Sequence, residues 1–212
     1  MIIAVDGPAA AGKGTLARGM AKSLDFAHLD SGALYRAVAY AMLRDGTDPS
    51  DREAAVAASR HLNIDLIDAP EIRGEGIGKL ASAIAKIPDL RANLLDFQRN
   101  FARHPPGGVA GAVIDGRDIG TVVCPDADVK FFVTASDEAR ARRRVLELEG
   151  RGAPADLETV RADLARRDAQ DRNRTAAPLK PAPDAHLLDT TELDIEAALA
   201  RALEIVAQAH GR

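Results

Sequence analysis

Met1-Ile2-Ile3-Ala4-Val5-Asp6 runs directly into Gly7-Pro8-Ala9-Ala10-Ala11-Gly12-Lys13-Gly14-Thr15, and the reading of this stretch decides the fold. Ile2 to Asp6 is a short apolar run of the kind that forms a parallel strand buried on both faces. Ala11 to Leu24 then follows helical periodicity. A glycine-spaced turn between strand and helix, closing on a lysine, is the setting of a phosphate-binding loop. Its glycines let the backbone curl so that N–H groups converge on phosphate oxygens. The helix N-terminus adds favourable potential, and Lys13 reaches the β- and γ-phosphates of a nucleotide. The general pattern places Ser or Thr directly after the lysine, whereas here Gly14 intervenes before Thr15. The plainer alternative, a ligand-free glycine turn, leaves the lysine without a role.

Outward from the loop, four more apolar runs suit a buried parallel sheet: Phe26 to Leu29, Ala112 to Asp115, Val129 to Val133 and His186 to Leu188. Helical stretches lie at Ala33 to Arg44, Asp137 to Glu149 and Asp194 to Ala209. This alternation predicts an α/β fold of three layers with a five-stranded parallel sheet, whose ligands sit beyond the carboxyl ends of the strands. Two segments interrupt it. Residues 45–104 read as an inserted subdomain containing a strand-like run, Asn63 to Ile67, and a helical stretch, Pro88 to His104. The Gly150 to Asp156 loop joins two arginine-rich helices and reads as the tip of a lid within residues 150–166. The whole chain, residues 1–212, is expected to form one domain.

Composition narrows the function. The 212 residues carry a formal net charge of -4, which argues against a nucleic-acid coat or a membrane-surface protein. No run approaches the roughly 20 apolar residues that span a bilayer. A single cysteine, Cys124, cannot form an internal disulfide, in keeping with a reducing compartment, and the expectation is a cytoplasmic protein, monomeric. No Asn-Lys-x-Asp string is present, so a guanine-nucleotide switch is demoted and small-molecule kinases remain.

A second phosphate site is suggested by Arg166-Arg167-Asp168-Ala169-Gln170-Asp171-Arg172-Asn173-Arg174. Arg167, Asp171 and Arg174 fall at i, i+4 and i+7, one stripe of a helix. Guanidinium groups so spaced suit a phosphoryl group, because the planar fork donates bidentately and stays ionised; an ion-paired, solvated helix face is the competing reading. Asp171 either orients these arginines or accepts from a sugar hydroxyl. Asp115-Gly116-Arg117-Asp118 ends the third strand and should emerge at the same sheet edge as the loop. Asp115 is placed to hold Mg²⁺ through water with Thr15 as the partner hydroxyl, or else merely caps a strand-end turn. Arg117 and Asp118 would face the acceptor.

With these residues assembled, the chain resembles bacterial cytidylate kinases nearly end to end. The resemblance rests on GPAAAGKGT, on Leu29 to Arg36 (LDSGALYR), on Ala81 to Arg91 (ASAIAKIPDLR), on Asp115 to Lys130 (DGRDIGTVVCPDADVK) and on Arg167 to Arg174 (RDAQDRNR). It implies transfer of the γ-phosphate of ATP to CMP or dCMP with Mg²⁺, in pyrimidine nucleotide metabolism. It also implies that the loop, Gly7, Pro8, Ala9, Ala10, Ala11, Gly12, Lys13, Gly14 and Thr15, holds ATP. Ser31 would contact the acceptor ribose and Arg36 its phosphate; a plain N-cap serine is the local alternative for Ser31. Ser82, Arg91 and Asp118 match positions that read cytosine, Arg117, Arg167 and Arg174 match phosphate-clamping arginines, and Asp171 matches a ribose contact. Lys13, Arg167 and Arg174 are the expected catalytic residues. Among Arg140, Arg142, Arg143 and Arg144, Arg143 is the expected adenine-stacking residue. The sequence departs from the family pattern twice: Ala9-Ala10 stands where the resemblance leads one to expect Ser-Gly, and the segment between Leu62 and Ser82 is short, as though a β-hairpin were missing. Rival readings are a kinase for another nucleoside monophosphate or a hydroxyl-bearing metabolite, and a nucleotide-binding module without turnover.

Overall fold

A computed structural model describes residues 1–48 and 50–210; Pro49, Gly211 and Arg212 lie outside the described residues. The chain divides into two compact units, Met1–His28 with Ala102–Arg212, and Leu29–Phe101. Five strands, β1 (Ile2–Asp6), β2 (Ala27–Asp30), β3 (Ala112–Gly116), β4 (Val129–Thr134) and β5 (His186–Asp189), form a sheet in the order β2-β3-β1-β4-β5. β1 is central and pairs in parallel with both β3 and β4, which is why its residues from Ile3 to Asp6 are all buried. The register sets Val5 opposite Asp115 and Asp6 opposite Gly116. The strand feeding the phosphate loop and the strand carrying Asp115 therefore end side by side.

In the first unit, α1 (Lys13–Leu24) and α8 (Ile195–His210) cover one face of the sheet. Ile3, Val5, Phe131 and Val133 pack there against Leu16 and Met20 of α1 and Ala202 and Val206 of α8. Full burial of such side chains contributes about 1.5–3 kcal/mol each, so the strand and helix that flank the loop are firmly anchored. α6 (Asp137–Glu149) and α7 (Leu157–Asn173) form a helical hairpin with caps at Ser136 and Asp156. Ala141 and Leu148 of α6, with Val160 and Leu164 of α7, enclose the methyl of Ala9. One of the two alanines that break the expected Ser-Gly is thus a packing residue of the hairpin.

The second unit holds α2 (Ser31–Arg44), α3 (Arg52–Arg60), α4 (Glu75–Ile84) and most of α5 (Pro88–Arg103). Ala33, Ala37 and Tyr40 on α2 pack with Ile72 and with Leu62, Leu66, Ile67 and Ala69. The strand expected at Asn63 to Ile67 is instead a 3₁₀ turn, Ile64–Asp68, followed by another at Pro70–Arg73. The Asn63 side chain accepts from the Asp65 N–H and starts the turn. A lone strand there would leave its backbone groups without a ladder, whereas the turn closes its own hydrogen bonds. Among the described residues of this segment there is no strand, in keeping with its short length.

Candidate active site

Between Asp6 and Lys13 the chain turns through Gly7 at φ 153°, Ala10 at φ 58° and Gly12 at φ 85°. At Gly7 a β-carbon would stand 2.1 Å from the Val133 carbonyl oxygen, so only glycine lets the loop leave β1 against β4. Ala10 adopts a left-handed conformation that ordinarily favours glycine, at a cost of about 1–2 kcal/mol, and so stores strain inside the loop. No side chain caps α1 at Gly12, which leaves the first-turn N–H groups to an anion. Lys13 Nζ lies 3.4 Å from the Pro8 carbonyl oxygen, folded back over the loop. Thr15 is exposed one residue beyond Gly14.

Asp115 is buried and its Oδ1 lies 2.9 Å from His28 Nε2. Its other oxygen faces the start of α1, 3.6 Å from where a Gly14 β-carbon would be. That carboxylate therefore adjoins the turn carrying Thr15, a hard oxygen donor set that fits Mg²⁺. After Asp115 the chain passes through Arg117 and Asp118 into a π-helical turn, Ile119–Val123. Asp6 holds this turn with both carboxylate oxygens, accepting from the Ile119 and Gly120 N–H groups at 2.8 Å each. Burial pushes the Asp6 carboxyl up to about 6, although those two N–H groups pull the other way.

Arg117 Nε donates to Asp171 Oδ2 at 2.8 Å, with both side chains largely buried. Burial alone would raise the Asp171 carboxyl, but Arg117, Arg167 and Arg174 together hold it below the usual carboxylate range. Arg117 thus pairs directly with Asp171, while Arg167, one helical turn earlier on α7, and Arg174, at the end of that helix, add favourable charge. Arg174 Nη2 also lies 3.8 Å from Asp118 Oδ1. The expected helical stripe needs correction at its last member: α7 ends at Asn173, and Arg174 is its extended C-cap residue. Its Nε donates to the Ala177 carbonyl 2.9 Å away, so the chain's turn rather than helix periodicity aims it.

On α6, Arg143 donates to the Thr190 hydroxyl at 2.9 Å and to the Thr190 carbonyl. Thr190 Oγ1 in turn lies 3.0 Å from the Ala11 carbonyl oxygen, which sets Arg143 beside the loop. Of its neighbours, Arg142 is exposed and paired to Glu138, Arg144 is paired to Glu147, and Arg140 is buried.

The second unit carries Ser31, Arg36, Ser82 and Arg91. Ser31 is the first residue of α2 rather than its cap; Asp30 caps it, accepting from the Ala33 N–H. A carboxylate is at least as good a cap as a hydroxyl, and Ser31 is buried. Asp30 also receives Arg36 Nη2 at 2.6 Å. Arg91 lies over the Tyr35 ring, 5.7 Å from its centroid, next in sequence to Arg36. Ser82 is half-buried on α4.

The sequence model of one protein family, Cytidylate kinase, matches residues 3–208. The chain belongs to the cytidylate kinase family. It is 57% identical to a cytidylate kinase of Methylocella silvestris over 99% of this chain and 95% of that one. It is 53% identical to a cytidylate kinase of Afipia carboxidovorans, over 99% and 98% of the two chains. Among solved structures, a shikimate kinase of Bacteroides thetaiotaomicron shares the fold at a TM-score of 0.52 and 16% identity, over 98% of each chain. Against this family background, Asp6, Thr190 and Tyr35 are residues the sequence reading missed. Asp6 offered one signal, an acid closing an otherwise apolar buried strand; Thr190 offered none, since its partners Ala11, Thr134 and Arg143 lie 179, 56 and 47 positions away.

Proposed function

We propose that the chain carries out in-line transfer with the residues placed above, Lys13, Arg117, Arg167, Asp171 and Arg174 in the first unit and Ser31, Arg36, Ser82 and Arg91 in the second. The reaction is phosphorylation of CMP or dCMP at the expense of ATP. The bond between the γ-phosphorus and the β–γ bridging oxygen breaks as a 5′-phosphate oxygen of the acceptor bonds to that phosphorus. An acceptor phosphate already ionised near neutral pH needs no general base, so catalysis is positioning and charge neutralisation. The loop N–H groups and Lys13 bind the donor phosphates, and Arg143 lies at the loop where the adenine side of ATP would rest. Thr15 and Asp115 would hold Mg²⁺, which when bound supplies positive charge to the donor phosphates.

The observation that carries this reading is the Arg117–Asp171 pair, with Arg174 beside Asp118 and Arg167 one helical turn before Asp171, in the unit that also forms the loop. A pure ATP sensor has no need of a second cationic cluster. In the second unit, Ser82 and Arg91 offer a hydroxyl and a guanidinium of the kind that cytosine's amine and ring acceptors require. The protein works in this reading as a monomer in the cytoplasm; among the described residues no helix is long and apolar enough to cross a membrane. Arginines delivered to a transferring phosphoryl group are worth about 10³ to 10⁵ in rate. The Arg167→Ala/Arg174→Ala double variant is expected to lose at least three orders of magnitude in kcat, and near-normal turnover would refute these roles.

A further inference from the structure

The inward stripe of α7 changes character along its length. Val160 and Leu164 are followed, at intervals of four and then three residues, by Asp168 and Asp171 on the same face, and all four are buried. Asp171 meets Arg117, as described. Asp168 meets Arg140 of α6, Oδ2 to Nη1 at 2.6 Å, with both side chains 3% exposed. The same Nη1 donates to the Ala9 carbonyl of the phosphate loop at 3.2 Å, and Nη2 reaches Asp137 at 2.6 Å. One guanidinium therefore ties the donor loop to the helix turn that bears Arg167.

An apolar pair would stabilise this position as well or better, since desolvating two charges offsets most of their attraction. Arg140 Nε and Asp168 Oδ1 are also buried without a hydrogen-bond partner among the described residues, a cost an apolar pair would avoid. What an apolar contact cannot do is fix direction. The two hydrogens of one planar Nη1 point to the Ala9 carbonyl and to the Asp168 carboxylate, and Arg167 immediately precedes Asp168 on the helix.

Resting on the kinase reading above, we propose that Arg140 and Asp168 are positioning residues that couple the ATP-binding loop to Arg167, so that the loop and the transition-state arginine keep one register. Neither touches the reacting atoms.

The test replaces the pair by an apolar one of similar volume, Arg140→Met with Asp168→Leu, beside Asp168→Asn, which keeps a neutral acceptor for Arg140. Thermal melting is measured with kcat and KM for ATP and CMP. The expected result is a melting temperature of the double variant at or above wild type, with kcat down about 10–100-fold, as a misplacement on the order of 1 Å produces. Asp168→Asn should lose less, at least threefold, with KM for CMP little changed. Wild-type kcat in the double variant would overturn the coupling and leave the pair purely structural. If the double variant does not fold, Asp168→Asn decides, and wild-type kcat there overturns the proposal equally. Wild-type enzyme inert toward CMP and dCMP would instead sink the kinase reading and the coupling with it, an outcome distinct from active wild type with unaffected variants.

Discussion

Asp171→Asn probes the centre of the arginine cluster while preserving shape. The carboxylate is 8% exposed and lies 2.8 Å from Arg117 Nε, with Arg167 and Arg174 also pulling its pKa down. Deleting one member of a buried pair outright costs about 3–5 kcal/mol. Asparagine keeps an acceptor oxygen and forfeits only the charge-assisted part, about 1.5–3 kcal/mol. For a chain of this size each kcal/mol moves the melting temperature by about 2–4 °C, so the variant should melt roughly 3–12 °C lower at pH 7. The sign of the pH dependence follows from the depressed pKa. The folded state holds Asp171 ionised below its unfolded value of about 3.9, so its stabilisation is complete above that value and fades as pH falls through the lower folded one. The gap between wild type and variant should therefore be constant from pH 7 to pH 5 and narrow below about pH 4. Scanning calorimetry of both proteins across this range measures it. Equal melting temperatures at pH 7, or a gap that persists unchanged in acid, would refute the pairing of Arg117 with this carboxylate and the added charge of Arg167 and Arg174.

Gly7→Ala would set its β-carbon 2.1 Å from the Val133 carbonyl, forcing β1 and β4 apart. Overpacking and backbone strain together predict a loss of more than about 3 kcal/mol, visible as a denaturation midpoint shift together with lost ATP binding; a wild-type midpoint would contradict the loop geometry. The Asp6 carboxyl should titrate near 6 in carbon-detected NMR. Because the folded state binds that proton more tightly than the unfolded chain, Asp6 draws stability down as pH rises from about 4 to about 6, and a midpoint near 4 would show that burial does not govern it. Lys13→Ala should lower kcat by orders of magnitude, since Lys13 acts on phosphate; single-turnover kinetics with saturating ATP would expose a spared chemical step.

Local pattern carried much of this protein. The loop between β1 and α1, the order of strands and helices, and the acid at the end of β3 follow from periodicity and glycine spacing alone, because each depends on residues adjacent in the chain. Where the reading slipped, a local alternative of similar propensity won. Asn63 started a 3₁₀ turn where a lone strand would have had no ladder, Asp30 capped α2 in place of Ser31, and α7 stopped one residue before Arg174. What spacing could not reveal at all are pairings made by the tertiary fold. Asp6 with the Ile119 turn spans 113 positions, Arg117 with Asp171 spans 54, and Arg140 with Asp168 spans 28. Ala9 shows the same limit: nothing adjacent in the chain marks it as a packing residue, yet its methyl packs with the α6–α7 hairpin.

The most direct measurement is a steady-state panel in which the purified protein, ATP and Mg²⁺ are offered CMP, dCMP, UMP, AMP, GMP and shikimate at equal concentration, with nucleoside diphosphate formation read by chromatography. CMP should show the highest kcat/KM, dCMP should follow closely, and the purine nucleotides and shikimate should trail far behind. Preference for any non-cytidine acceptor, or ATP consumption with no CDP or dCDP formed, would contradict the account.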